Sequence, residues 1–379
     1  MVGAFGWQLQ SAELAADRWP IVRGDSALRG VATSPVGLPL KLAWSYAAGK
    51  PILATPITDG DAVYFGDGEG RFHAVSLAGG KGRWQVALMD AKKGKPSGDP
   101  IEGSACLASG HVIFGGSDSS VRALGVTDGK EKWQFDAQQE IKAGATPFLR
   151  RTPEGREQMC VVIAGFGGGV FCLDATTGQK IWEYDAGGPI NGAVAVSGVG
   201  VVLGGCNGTI DVLDPASGQR RHRVDIKIYM PNSVAILGEI GYFGHSGNKV
   251  EAWNLKEPKQ VWEFRDRDFA YFTSPAVTEE FVFIGGEDKR LHCLTRSGGE
   301  EKWSFRARDK INSSPVVAGG LVIVGADDGR LYAVDALNGQ ERWSYEVGSP
   351  IKSSPAVASG HVLIGTEDGQ VHCFTGSEK

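Results

Sequence analysis

Ala333-Val-Asp-Ala-Leu-Asn-Gly-Gln-Glu-Arg-Trp343 has a near copy upstream, Cys172-Leu-Asp-Ala-Thr-Thr-Gly-Gln-Lys-Ile-Trp182. The frame is a small residue, an Asp, a Gly and a closing Trp at constant spacing. It also fits residues 74–84, 123–133, 252–262 and 293–303, with looser matches inside some copies. Residues 212–222 keep the Asp and Gly but carry His222 at the closing position. With Trp44 included, the frames close at 44, 84, 133, 182, 222, 262, 303 and 343. A period of about forty, stretched twice by insertions, is that of a four-stranded propeller blade.

The last full copy predicts the strands of one unit. Strand A runs through Ser313-Ser-Pro-Val-Val, and Gly319-Gly320 turns the chain into strand B at 321–324. Asp328-Gly329 leads into strand C at 331–334, and Asn338-Gly339 into strand D, which carries Trp343. Asp-Gly and Asn-Gly supply the positive φ that tight hairpins require. The Asp of the frame is suited to bond backbone N–H groups of the next turn. Trp44, Trp84, Trp133, Trp182, Trp262, Trp303 and Trp343 are expected to dock between neighbouring blades, each with its indole N–H on a backbone carbonyl.

The chain ends decide the count. After Trp343 the sequence supplies strands A, B and C at 352–374 but no D strand, whereas residues 40–46 carry a D-type Trp44 with no A, B or C before it. Residues 40–46 are therefore expected to complete the last blade, which removes an exposed sheet edge. The prediction is an all-β, eight-bladed propeller over residues 19–379 as one domain, preceded by an N-terminal extension at 1–18.

Composition agrees. The 379 residues include 55 Gly, and apolar runs rich in Val and Ile are broken by Gly, Asp, Asn and Ser, the pattern of short strands and tight turns. The net charge of −5 is spread along the chain; with no basic stripe, nucleic acid is not expected as a partner. No apolar run approaches the roughly 20 residues of a membrane span. The first twenty residues have no positive n-region, so no signal peptide is evident. Six cysteines are present, without a Cys-x-x-Cys pair, and all are read as buried small hydrophobes. Cys160 and Cys172 share a hairpin on a diagonal, a poor position for a bridge.

The Ala-x-Asp-x-x-x-Gly-x-x-x-Trp frame resembles the tryptophan-docking repeat of the PQQ quinoprotein dehydrogenases. Ser353-Ser-Pro-Ala-Val with Gly365-Thr-Glu-Asp-Gly369 is similar to the wider PQQ-like repeat superfamily, and Trp19-Pro-Ile-Val-Arg-Gly-Asp25 to the way many bacterial members begin. Two branches compete. The dehydrogenases imply PQQ with bound Ca²⁺, a catalytic Asp, Glu and Asn ligands and, in many, an adjacent-cysteine disulfide. They are also usually much longer. This chain has no Cys-Cys pair and two modest insertions, at 88–103 and 149–157. BamB-like outer-membrane assembly propellers are compact and carry no cofactor, and the chain resembles these more. That resemblance implies a protein partner and a periplasmic or cell-envelope location, although no lipobox cysteine lies near the start. The residues alone leave a cytoplasmic location open.

In a propeller, strand A lines the central channel. The position just before the Ser-Ser-Pro frame reads Leu53, Glu102, Lys142, Asn191, Tyr229, Phe272, Asn312 and Lys352 around the eight blades. It varies where the packing positions do not, as a ligand-specific funnel requires. Calcium takes several oxygen ligands, and this ring offers one carboxylate, Glu102. Asp90, Asp99, Asp266, Asp268 and Asp309 would add others only if their loops fold inward. The expectation is a binding or scaffold propeller without catalytic residues or cofactor, the alternative a PQQ- and calcium-dependent oxidoreductase. Tyr229, Tyr271 and Phe272 are the expected anchors for a peptide or partner loop. His73, His292 and His372 recur at one strand-C slot and are read as repeat packing. Asp327-Asp328 and Glu367-Asp368 are read as turn chemistry, and Arg23-Gly24-Asp25 as a chance tripeptide.

Overall fold

The computed structural model describes residues 18–90, 95–152, 154–266 and 268–376. The expected extension at 1–18 thus falls almost wholly outside the described residues. Eight four-stranded antiparallel sheets account for the fold, and a two-stranded ribbon, Met89–Asp90 with Lys95–Pro96, lies in the first insertion. Blades 1 to 8 begin with inner strands Ile57–Thr58, Cys106–Ala108, Thr146–Arg151, Ala195–Ser197, Ala235–Leu237, Ala276–Val277, Val316–Ala318 and Ala356–Ala358. In blade 8 the outer strand is Leu40–Ala47, paired with Gln370–Gly376 from Leu40↔Gly376 to Ala47↔Gln370. The ends of the chain close the ring as the repeat count requires.

One register recurs in every blade. The small residue of the frame faces the closing position, as in Ala74↔Trp84, Cys172↔Trp182 and Ala333↔Trp343, with a bulge just after it. Cys373↔Trp44 repeats it across the join between the termini. The frame Asp caps the following turn: Asp174 Oδ1 accepts from Thr176 N at 2.9 Å and Thr177 N at 2.8 Å. The core lies between blades, where apolar faces of adjacent sheets meet. Phe148, Cys160, Val162 and Cys172 of blade 3, for example, pack against Val194, Val201 and Leu213 of blade 4.

The tryptophans bridge these seams. Trp44, Trp84, Trp133, Trp182, Trp262 and Trp303 donate from Nε1 to the carbonyls of Leu77, Val126, Ala175, Pro215, Arg296 and Ala336, each in the next blade. Each ring also lies on the frame glycine of that blade. At Gly178, whose φ is +73°, a Cβ would stand 2.6 Å from the Trp133 ring. Blade 4 has His222 in place of the tryptophan, and the blade 5 frame has Pro258 in place of the glycine. By the repeat, these two exceptions fall at the seam of blades 4 and 5, which lacks both the large ring and the residue that makes room for it; at the seam of blades 7 and 8 Trp343 instead meets Phe374 edge-to-face at 5.8 Å.

Residues 19–32 have no counterpart in the repeat. Trp19 pairs with Thr58, and Pro20 O accepts from Leu107 N. The carbonyls of Ser26, Ala27, Arg29 and Gly30 accept from Val196, Ile236, Val277 and Val317 in turn. Ser26 Oγ donates to Pro147 O at 2.7 Å. This strap therefore bonds to the inner strands of blades 1 to 7, at the ends from which those strands turn into strand B. Arg23 is buried at its centre, 1% exposed, and donates from Nη2 to Pro275 O at 2.9 Å. Burial pulls the Arg23 guanidinium down to about 9, and Asp25 offsets this in part.

The six cysteines are free, and five are buried. Cys160↔Asp174 and Val162↔Cys172 confirm the diagonal. Cys206 departs from the buried reading, being half-buried at the channel mouth.

Candidate functional site at the channel mouth

Antiparallel order puts the D–A connections and B–C turns of all blades on one face, opposite the strap. In most blades the residue before each ring position packs over the glycine that ends a B strand: Ile101 over Gly66, Ile141 over Gly115, Ile311 over Gly285, Ile351 over Gly325 and Ile52 over Gly365. The ring residue follows such an anchor and is left at the mouth. In blades 5 and 6 the anchors are Met230 over Gly204 and Tyr271 over Gly244.

Two corrections follow. Pro231, next after Met230, holds the blade 5 ring position in place of Tyr229. Tyr271, read from the sequence as exposed, is 1% exposed and packs in the core with its ring 5.5 Å from that of His292. Three of the four residues at 269–272 are aromatic and look alike in sequence, but the anchor slot takes every repeat's large apolar residue inward. Tyr229 still reaches the mouth: it is 44% exposed, lies against Cys206 and Asn191, and meets Phe272 edge-to-face at 6.4 Å.

Glu102, Lys142, Asn191 and Phe272 converge around a cleft of about 190 Å³, with Asn232 at its wall and Val22 of the strap also lining it. Lys142 Nζ lies 3.6 Å from both Glu102 and Glu140, and 5.1 Å above the Phe166 ring. Asn191 donates from Nδ2 to Cys206 Sγ at 3.5 Å. Asn232 spends its amide N–H groups on the carbonyls of Gly244, Tyr271 and Thr273, at 3.0, 3.3 and 3.0 Å. Below the rim the inner strands are cross-linked through serines: Thr55 N donates to Ser104 Oγ, Ser233 N to Ser274 Oγ and Ser274 N to Ser314 Oγ.

The remaining ring positions do not join this cleft. Asn312 donates to Asp327 Oδ2 at 2.7 Å, and Lys352 pairs with Glu367 at 2.6 Å. Burial pushes the Asp327 carboxyl up, and the Asn312 amide and Lys352 offset this only in part. Leu53 is 40% exposed at the rim. The sequence reading missed Phe166, Glu140 and Asn232. A lone exposed Phe in the Gly-rich turn 165–169 was the available signal for the first.

The donor set of the cleft does not fit a calcium–quinone centre. Calcium takes six to eight oxygens, carboxylates prominent among them, and the ring residues lining the cleft supply one carboxylate, already facing Lys142.

Eight large apolar side chains stand out as exposed among the described residues: Leu42, Leu53, Met89, Phe166, Tyr229, Val261, Phe269 and Leu337. Leu53, Met89, Phe166, Tyr229 and Phe269 lie on D–A connections or a B–C turn, hence on the face of the cleft. No helix of the described residues is long and apolar enough to cross a membrane.

Residues 117–265 and 269–378 match the family described as outer membrane protein assembly factor BamB. No curated protein matches the sequence. Among solved structures, BamB from Moraxella catarrhalis is 16% identical, with 90% of this chain and 98% of that one covered and a TM-score of 0.70. Quinohemoprotein alcohol dehydrogenase from Comamonas testosteroni is 15% identical over 97% and 82% of the two chains, with a TM-score of 0.77. A europium-containing methanol dehydrogenase is 14% identical over 95% and 98%, with a TM-score of 0.75. Such identities show a shared fold, which hosts both binding proteins and enzymes.

Proposed function

The chain belongs to the BamB family of PQQ-like propellers, and from that premise we propose that it is a non-catalytic binding or scaffold protein whose channel mouth holds a peptide or partner loop. The observation that carries this reading is the gathering of exposed apolar side chains on the cleft's face, Phe166, Tyr229 and Phe269 among them. Aromatic side chains make effective anchors because they bury large area at small entropic cost. Family membership supports a protein partner and a location in the cell envelope. The tryptophans that bridge the seams serve in this reading as docking elements that hold the face rigid.

Joint replacement Tyr229→Ala and Phe272→Ala tests the reading. The pair is expected to weaken a partner captured by the wild-type chain by about thirtyfold, the weight of a hot spot of roughly 2 kcal/mol. Tyr229 is exposed and Phe272 half-buried, so the melting transition should stay close to that of the wild type. Undiminished capture by the double variant would refute the proposal. On the same reading, added PQQ and Ca²⁺ leave no bound quinone absorbance after gel filtration and support no dye-linked alcohol oxidation. A stoichiometric quinone spectrum would favour the oxidoreductase instead.

A further inference from the structure

His73, His292 and His372 occupy equivalent places on strand C of blades 1, 6 and 8, yet their surroundings differ. His73 Nε2 is 3.0 Å from Asp67 Oδ2, and its Nδ1 is 3.4 Å from the Tyr46 hydroxyl. A neutral ring satisfies both contacts, donating to the carboxylate and accepting from the hydroxyl. His372 Nδ1 lies 2.7 Å from Ser45 Oγ, again within reach of a neutral ring.

His292 has carboxylates on both sides. Its Nδ1 is 2.7 Å from Glu301 Oε1, and its Nε2 is 2.9 Å from Asp288 Oδ2. Asp266, on the connection from blade 5, adds a third: one ligand atom from each of Asp266, Asp288 and His292 lies within 4.8 Å of the others. The His292 and Asp288 side chains are 0% and 1% exposed, and the Phe264 and Tyr271 rings pack at 5.6 and 5.5 Å from the imidazole. A neutral imidazole donates at one nitrogen only, whereas a protonated ring donates to both Glu301 and Asp288. A cation taking the place of the Nε2 proton would leave Nδ1–H on Glu301 and meet Nε2 beside Asp288 and Asp266. This is the carboxylate–histidine arrangement that orients a metal ligand and raises its basicity.

We propose that His292 Nε2, Asp288 and Asp266 form a divalent metal site of the Zn²⁺ type at the seam between blades 5 and 6, with Glu301 as the positioning residue. Imidazole nitrogen with carboxylate oxygens suits Zn²⁺, which leaves a fourth position for water. Calcium, which takes six to eight oxygens, does not suit three ligands that include a ring nitrogen. Blades 1 and 8 offer one Asp beside the histidine, at position 67 or 368, so the third carboxylate distinguishes blade 6. The site would tie down the connection that presents Phe269 and Phe272, but it does not depend on the peptide-binding reading.

Calorimetric titration of the full chain with Zn²⁺ is expected to show one saturable equivalent. Asp266 is exposed, so Asp266→Asn should keep the wild-type circular dichroism while weakening Zn²⁺ by about tenfold or more. Co²⁺ in place of Zn²⁺ should give visible d–d bands that His292→Gln and Asp266→Asn both diminish. Wild-type affinity in Asp266→Asn, or no saturable uptake by the wild-type chain, would overturn the site.

Discussion

A chain shortened to begin at residue 48, which loses the strap at 19–32 as well as the closing strand, is expected to lose cooperative unfolding and to aggregate. Strand Leu40–Ala47 is the outer strand of blade 8, and its pairing with Gln370–Gly376 joins the two ends of the chain in one sheet. Removing it strips that ladder and leaves an exposed strand edge, a template for pairing with other chains. It also removes Trp44, whose Nε1 bonds Leu77 O at 2.7 Å, and Tyr46, whose ring stands 5.9 Å from Phe65. The seam between blades 8 and 1 would lose both its backbone and its aromatic contacts. Gel filtration and thermal unfolding read the outcome directly. A monomer that melts as sharply as the full chain, within a few degrees, would mean the ring closes by other means.

Trp133→Ala should cost about 3–5 kcal/mol, the range for truncating a large buried aromatic. Trp133 is 8% exposed, donates to Ala175 O at 3.2 Å and covers Gly178, so its loss opens a cavity and takes one of two partners from that carbonyl, the other being His111 Nδ1 at 3.2 Å. Gly178→Ala attacks the same contact from the other side. A methyl there meets the indole at 2.6 Å while the backbone holds φ at +73°, a conformation that costs a non-glycine residue of order 1 kcal/mol or more. Because the two changes act on one contact, the double variant should be less destabilised than the sum of the singles. Strict additivity in denaturant unfolding would show that ring and glycine do not act together.

The site was legible in part, and the limits have identifiable causes. Glu102, Lys142, Asn191 and Phe272 share one cleft because the repeat carries them to the same height at the entrances of successive inner strands. Tyr229 was misplaced although its connection has the common length, and Tyr271 sits on a longer one. In blade 6 the anchor slot holds Tyr where most blades hold Ile, so hydrophobicity alone did not separate core from rim. Grouping His73, His292 and His372 as equivalent packing residues was right for their place on strand C. It could not register Asp266, which comes from the neighbouring blade.

By itself, the sequence determined the number of blades, the order of strands within each and the closure by residues 40–46. Turn chemistry, strand alternation and a forty-residue period are all written within one unit and repeated along the chain. Tertiary structure alone decided the course of residues 19–32 across the inner strands, the charge pairing around the mouth and the convergence of three ligand-type residues beside blade 6. These depend on contacts between segments far apart in the chain and outside the repeat, where no local pattern encodes the direction of a side chain.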